Sequence, residues 1–278
     1  MDGTLLNGKQ EISEGNRRAI MAAQEKGVEV ILATGRSYQE ASHMLQKAGL
    51  RCGAICANGA EIRNREGEVL HSVGLEGEIA RKMIGMLRNL GVYVELYTNE
   101  GTYTDSYQKG IDVIIDIYHT ANPDTSREEI QAAAEERFKR GLIEVVDDYS
   151  EVLGREGCRV YKLLAFSMDP ALLSEAAGAL RKVEGVAVTS SGRENIEVTH
   201  QEAQKGIALK RFAEHSGVPL SETMAMGDNY NDLSMLKVAG RPVAMGNAEQ
   251  EVKDICRYIT AVNDEDGAGK AIMEAIQE

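Results

Sequence analysis

The chain has 278 residues, 43% of them hydrophobic, and a formal net charge of −13. It is long enough for one large domain or two modest ones with real cores, and too acidic for nucleic acid, whose phosphates are held by basic surface. Cys52, Cys56, Cys158 and Cys256 lack paired spacing, as reduced cytoplasmic thiols do, and no apolar run approaches the ~18 residues of a membrane span or follows a basic stretch at the N-terminus.

In chain order, Ser13 is placed to cap a helix running to Lys26. "VEVILATG" (Val28 to Gly35) reads as a strand, and Ser37 to Ala48 as the next helix, a βαβ layout with a parallel sheet. "GAICANGAEIRNREGEVLHSV" gives a short strand to Ala57, an Asn-Gly turn at Asn58 and Gly59, and a hairpin turning near Arg65 to Gly67. The segment from about Leu75 to about Ile196 differs in character. A helix over "EGEIARKMIGMLRNLG" leads into "VYVELYTNEGTYTD", an antiparallel hairpin around Gly101. A polar helix follows (Ser126 to Arg140, its Glu128 and Glu129 on a solvated face), then "CRVYKLLAFS", another helix and "VAVTSSGRENIEVTH". Three strand-then-loop units close the chain: "TMAMGDNYNDLSMLKVAG", "RPVAMGNA" and "RYITAVNDEDGAGKAI". The fold class expected is α/β, a Rossmann-like parallel-sheet core with helices on both faces and an inserted α+β cap. The core is assigned to 1–75 and 197–278, its two ends forming one sheet, and the cap to 76–196.

In open α/β sheets ligands bind beyond the carboxyl ends of the strands, so polar residues that directly follow strand-like runs are the candidates. Thr34, with the backbone N–H groups of Gly35 and Arg36, can hold a phosphate oxygen. Asp228 follows "TMAMG" and precedes Asn229, Asn231 and Asp232. Lys205 opens a helix in "EAQKGIAL" and offers an ammonium to an anion, as an acidic protein with an anionic substrate requires. Asp2 stands before "GTLL". Each has a plainer reading: Thr34 as a turn residue, "GDNYND" as an N-cap with acids favoured by the helix dipole, Lys205 as a surface lysine. The five histidines have no metal-binding spacing and receive no role, the eleven methionines read as core filler, and "DGAGK" lacks the upstream glycine and the following Ser/Thr of a P-loop.

Taken together, "DGTLL", "LATGR", "QKGIAL" and "GDNYND", in that order and with a domain-sized insert between the second and third, resemble the haloacid dehalogenase superfamily, and within it the Cof-type sugar-phosphatase-like branch with a large α+β cap. "ANGA" around Asn58, "VAMGNA" at Val243 to Ala248 and the acidic "NDEDGAG" loop extend the resemblance over nearly the whole chain. It implies a magnesium-dependent phosphatase acting on a small cytoplasmic phosphate ester: a sugar phosphate, a nucleotide or a phosphorylated cofactor. Asp2 would be general acid and then base, its carbonyl binding Mg2+. Asp228 would be the metal carboxylate, with Asp232 a supporting acid counted with Asp2 and Asp228 in the metal set. Thr34 and Lys205 would hold the phosphoryl oxygens and offset their charge, and Asn231 would position phosphate and lysine. Gly35, Arg36, Asn58 and Gly59 would line the substrate side. Hard oxygen ligands suit magnesium, and fixed positive charge with donors suits phosphoryl transfer. The readings that stay open beside it are a phosphomutase or phosphotransferase on the same scaffold, and a catalytically dead phosphometabolite-binding protein. No nucleic-acid or membrane partner is expected; the substrate's identity and the oligomeric state are not readable.

One position departs from the pattern. The family has an aspartate, one residue, then a second aspartate in DxDGT, and the first aspartate is the nucleophile; here Met1 occupies the middle position. A central strand of about five residues would bury roughly four apolar side chains at ~1.5–3 kcal/mol each and make ladder hydrogen bonds at ~0.5–1.5 kcal/mol apiece. That sum of ~10 kcal/mol is comparable with a domain's whole stability. The expectation is an apolar strand ending in aspartate just upstream of Met1, the dead binding protein being the reading if Met1 is the true start.

Overall fold

A computed structural model describes residues 1–121, 125–190 and 192–277. The elements follow in chain order: α1 (Glu14–Glu25), β1 (Ile31–Ala33), α2 (Tyr38–Lys47), β2 (Gly53–Cys56), β3 (Glu61–Arg63) and β4 (Val69–Ser72). The inserted part then contributes α3 (Gly77–Asn89), β5 (Tyr93–Thr98), β6 (Thr102–Thr104), α4 (Tyr107–Ala121), α5 (Arg127–Lys139) and β7 (Glu144–Val145). It continues with α6 (Tyr149–Leu153), β8 (Val160–Phe166), α7 (Pro170–Leu180), β9 (Val186–Thr189) and β10 (Asn195–His200). The last stretch holds α8 (Lys205–Ser216), β11 (Met224–Gly227), α9 (Leu233–Leu236), β12 (Arg241–Ala244), α10 (Gln250–Ile255), β13 (Tyr258–Ile259) and α11 (Gly267–Ala275). Two compact units result, one of residues 1–72 and 202–278, the other of residues 73–201. The sequence reading put the second junction at 196/197, inside what is β10; the strand stays whole because its ladders to β8 and β9 belong to the inserted sheet.

Local chemistry explains the helix starts of the first unit. Ser13 accepts a hydrogen bond from the Asn16 N–H. Ser37 closes a capping box, its hydroxyl accepting from Glu40 N–H (3.3 Å) and the Glu40 carboxylate accepting from Ser37 N–H (3.1 Å); such caps satisfy donors that the first turn leaves orphaned. Strand residues alternate between two faces. Leu32, Ala54 and Cys56 pack with α1, α2 and α11, through Ala19, Ile20, Ala23, Ala41, Leu45 and Ile272. Ile55 and Ile62 pack with α8, α9 and α10, through Leu209, Phe212, Leu236 and Val252. Helices therefore cover both faces, as an α/β core requires.

The expectation of one continuous sheet needs correction. β1 runs parallel to β2, and β3 and β4 continue antiparallel; β11, β12 and β13 form a separate parallel sheet. Among the described residues neither β1 nor β11 has a second strand partner. Between them lies an apolar cavity of about 110 Å3 lined by both strands and by Met1, Leu45 and Met235. At the Ala33 carbonyl the α-amine of Met1 donates across a 3.3 Å distance.

The second unit is α+β, with a six-stranded sheet of order β7-β6-β5-β8-β10-β9. One face packs Val94, Leu96, Leu163, Ala165 and Val198 against α3, α6 and α7. The other carries buried charge in pairs: Lys162 Nζ lies 3.1 Å from Glu197 Oε1 and 4.4 Å from the centre of the Tyr97 ring, and Arg137 reaches Glu95. The sequence reading passed over α4, which packs on α5 through Ile111, Ile115, Ile130 and Ala134. Its run "IDVIIDI" is β-branched and apolar, a pattern that periodicity alone does not separate from a strand. No described helix is long and apolar enough to cross a membrane.

Candidate active site

The site lies within the first unit, at the carboxyl ends of β1 and β11. β1 ends at Ala33, and Thr34, only 1% exposed, turns the chain. Its N–H donates to the Ile55 carbonyl (2.9 Å), its carbonyl accepts from Asn58 N–H (3.0 Å) and its hydroxyl oxygen accepts from Arg36 N–H (3.1 Å). The segment it meets, Ala57-Asn58-Gly59, has φ of 47°, 61° and 109°. A Cβ on Gly59 would sit 2.6 Å from the Gln204 carbonyl oxygen, so only glycine lets this turn approach the residue before Lys205. Asn231 Nδ2 lies 3.4 Å from Asn58 Oδ1, tying the turn after β2 to the one after β11.

β11 ends at Gly227, and the following turn folds Asp232 back under it. Asp232 Oδ2 accepts from the N–H groups of Asp228 (3.0 Å) and Asn229 (3.2 Å), and Oδ1 accepts from Lys205 Nζ (2.6 Å). Both side chains of this ion pair are almost fully buried, at 3% and 4% exposure. Burial works against the Asp232 charge, but the Lys205 ammonium outweighs it and the carboxyl is held below its ordinary range.

Asp228 behaves the opposite way. Burial and the neighbouring Asp232 charge push its carboxyl up, although the Thr4 hydroxyl donates to Oδ1 at 2.5 Å. Asp2 is half-exposed and meets Arg36 through two hydrogen bonds, Nε to Oδ2 at 3.0 Å and Nη2 to Oδ1 at 2.5 Å. Desolvation opposes that charge, yet the guanidinium prevails and the Asp2 carboxyl is held down. The α-amine of Met1 has its pKa lowered by burial first and by Lys205 second, and is pulled the other way by Asp232, Asp2 and Asp228. Hydrogen bonds join Lys205, Asp232 and Asp228, and the Thr4 hydroxyl brings the segment that carries Asp2 against Asp228.

The structure thus gathers Asp2, Asp228, Asp232 and Lys205, and links Thr34, Asn58, Gly59 and Asn231 to them. Arg36 has a partner that sequence reasoning did not supply, Asp2. Thr4, the hydroxyl on Asp228, was missed as well: the two are 224 positions apart, with no local signal. Gly3, at φ 65°, is fixed by its neighbour, because a Cβ there would overlap the Asp228 carboxylate.

The donor set can be tested against a hard divalent cation. Among the described residues no three His, Cys, Asp or Glu side chains come together as a metal cluster. Magnesium does not need one, since it keeps several waters and takes one or two carboxylates together with phosphate oxygens. Asp228 fits that role: it is a desolvated carboxylate beside a second negative charge, which a cation would relieve.

The family model for haloacid dehalogenase-like hydrolases matches residues 1–272. The chain is 34% identical over 269 residues to the phosphatase YwpJ of Bacillus subtilis, covering 96% of this chain and 94% of the relative. It is 33% identical over 278 residues to the B. subtilis 5-amino-6-(5-phospho-D-ribitylamino)uracil phosphatase YwtE, covering 99% and 96%. A solved haloacid dehalogenase-like hydrolase from B. subtilis superposes with a TM-score of 0.88 at 33% identity, over 98% of this chain and 96% of that one.

Proposed function

This chain belongs to the haloacid dehalogenase-like hydrolases, and on that premise we propose that it is a magnesium-dependent phosphomonoesterase that hydrolyses a small cytoplasmic phosphate ester by a phospho-aspartate route. The observation that carries the reading is the hydrogen-bonded set Lys205, Asp232 and Asp228, reached from the other end of the chain by Thr4 next to Asp2, with Arg36 of the Thr34 turn on the Asp2 carboxylate. The names of the relatives support phosphate monoesters as the substrate class, one of them a phosphoribityl compound.

Asp228, with the Asp2 carbonyl, would hold Mg2+, which when bound offsets charge on the phosphoryl oxygens. The remaining roles fall to this chain's own groups. The Lys205 ammonium, oriented by Asp232, faces the developing negative charge. Thr34 and the Gly35 N–H hold a phosphoryl oxygen, the Arg36 N–H being spent on the Thr34 hydroxyl oxygen, and Asn58, Gly59 and Asn231 fix the turn against the head of α8. Asp2 gives its proton to the leaving oxygen and later takes one from water. Its low pKa beside Arg36 means that the pair must part, or that the substrate must take Arg36's attention, before Asp2 can act as an acid. In this route the phosphoryl group passes to the aspartate that the family pattern sets two positions before Asp2, and then to water.

Phosphate release from p-nitrophenyl phosphate with Mg2+ tests the reading, for the chain beginning at Met1 and for one extended by a strand ending in aspartate. The extended form should turn over and the other should be slower by orders of magnitude, as loss of a nucleophile demands. Equal rates would refute the phospho-aspartate route.

A further inference from the structure

Two runs of sequence, "VAMGNA" and "NDEDGAG", lie outside the chemistry described so far, yet both converge on residues 3–8. Asn247, in the loop after β12, donates from Nδ2 to the Gly3 carbonyl at 2.8 Å. Its Oδ1 accepts from the backbone N–H of Asn263 at 3.0 Å. That second bond fixes the amide's orientation, because a backbone N–H can only donate and so the NH2 group must face Gly3. Asn263 in turn donates from Nδ2 to the Leu6 carbonyl (2.9 Å), and Asp264 accepts from Gly8 N–H (2.6 Å). The two loops are themselves locked together, Gly246 N–H donating to the Ala261 carbonyl, and a Cβ on Gly246 would fall 2.8 Å from Val262 N.

The carbonyl that Asn247 holds belongs to the Gly3–Thr4 peptide, one unit after the Asp2 carbonyl. Gly3 sits there with a left-handed φ of 65° against the Asp228 carboxylate, and Thr4 bonds Asp228 directly. Rotation of that peptide would turn Gly3 ψ and Thr4 φ, shifting the Thr4 hydroxyl on Asp228 and straining Gly3, which joins it to the Asp2 carbonyl. We infer that Asn247 is a positioning residue: its amide sets the Asp2–Gly3–Thr4 backbone so that Asp2 and Asp228 present their oxygens to one cation and one phosphoryl group. This rests on the phosphatase reading. Asn247 is exposed, so its replacement leaves no cavity in the core.

The test uses the protein with its native N-terminus and two variants. Asn247→Ala removes both hydrogen bonds. Asn247→Asp keeps the acceptor for Asn263 N–H but turns a second oxygen toward the Gly3 carbonyl. Both should lower kcat on p-nitrophenyl phosphate by roughly 10- to 100-fold, the scale of a small misplacement of reacting groups, with KM within about twofold and Tm within a few degrees of the parent. Mn2+ affinity, read by electron paramagnetic resonance titration without substrate, should fall about tenfold in both. If Asn247→Asp keeps the parent's kcat and Mn2+ affinity, Asn247 merely ties two loops together and the inference is overturned. If the parent protein releases no phosphate from any ester, the phosphatase reading fails, and the Mn2+ affinities of the three proteins still decide whether Asn247 positions the site.

Discussion

Replacing Lys205 by methionine should strip the site of its cation and strand a buried charge. Lys205 Nζ lies 2.6 Å from Asp232 Oδ1, both side chains almost fully buried. Removing one partner of a buried pair typically costs about 3–5 kcal/mol, because the other charge is left without compensation. At roughly 2–4 °C per kcal/mol for a body of 150–250 residues, Tm should fall by on the order of 6–20 °C. The pH dependence fixes the cause. In the parent protein the Asp232 carboxyl is held below its unfolded value, so its contribution is present above that value and lost as pH falls through the folded pKa. In K205M burial is no longer opposed by the ammonium, the folded pKa rises above the unfolded one, and protonation relieves the penalty. The Tm gap between parent and K205M should therefore narrow from pH 7 to pH 4, by differential scanning calorimetry. The double variant K205M/D232N should regain part of the lost Tm and none of the lost phosphate release. A K205M protein that melts within 2 °C of the parent at pH 7, or a gap that widens on acidification, would refute this reasoning.

Three further outcomes are expected. G3A should lower phosphate release at least 100-fold, since its Cβ would displace the Asp228 carboxylate and the residue would be held at φ 65°; steady-state kinetics with p-nitrophenyl phosphate checks it. S37A should remove the capping box of α2 and cost about 1 kcal/mol, seen as a Tm drop of a few degrees with turnover retained. In the inserted unit, D148A should destabilise α6 by a similar cap energy. Because hydrogen bonds from Ser150 and Arg88 hold the Asp148 carboxyl at about 2, its contribution is present above the unfolded value and fades as pH falls toward 2, so the urea midpoints of parent and D148A should draw together between pH 4 and pH 2.

Local rules made much of this molecule legible. Ser13 as a cap, the helix beginning about Ser37, the hairpin turning near Arg65 to Gly67, the hairpin around Gly101 and the three late strands depend on neighbours within a few residues, and the structure has them. What escaped depends on distance along the chain. Which strands lie beside β1 and β11 is a matter of pairing, which alternation along one strand does not encode. The Thr4–Asp228 and Asn247–Gly3 bonds join residues more than 220 positions apart. Arg36 lies 34 positions from Asp2, and its pairing follows from where β1 ends in space. Thr34 and Asp228 were legible because each directly follows a strand, where side chains are carried to one rim; Lys205 opens α8 and Asp2 precedes the first described strand, and both stood out through the order of the motifs.

The most direct measurement is Mg2+-dependent release of inorganic phosphate from a panel of small phosphate monoesters, by the protein with its native N-terminus and by D228N. The account predicts that at least one ester is cleaved, that chelation of Mg2+ abolishes the reaction, and that D228N loses it by at least about 100-fold, the scale on which removal of an electrostatic contact at a reacting centre is felt. Cleavage that persists undiminished in D228N, or no cleavage of any ester, would contradict it.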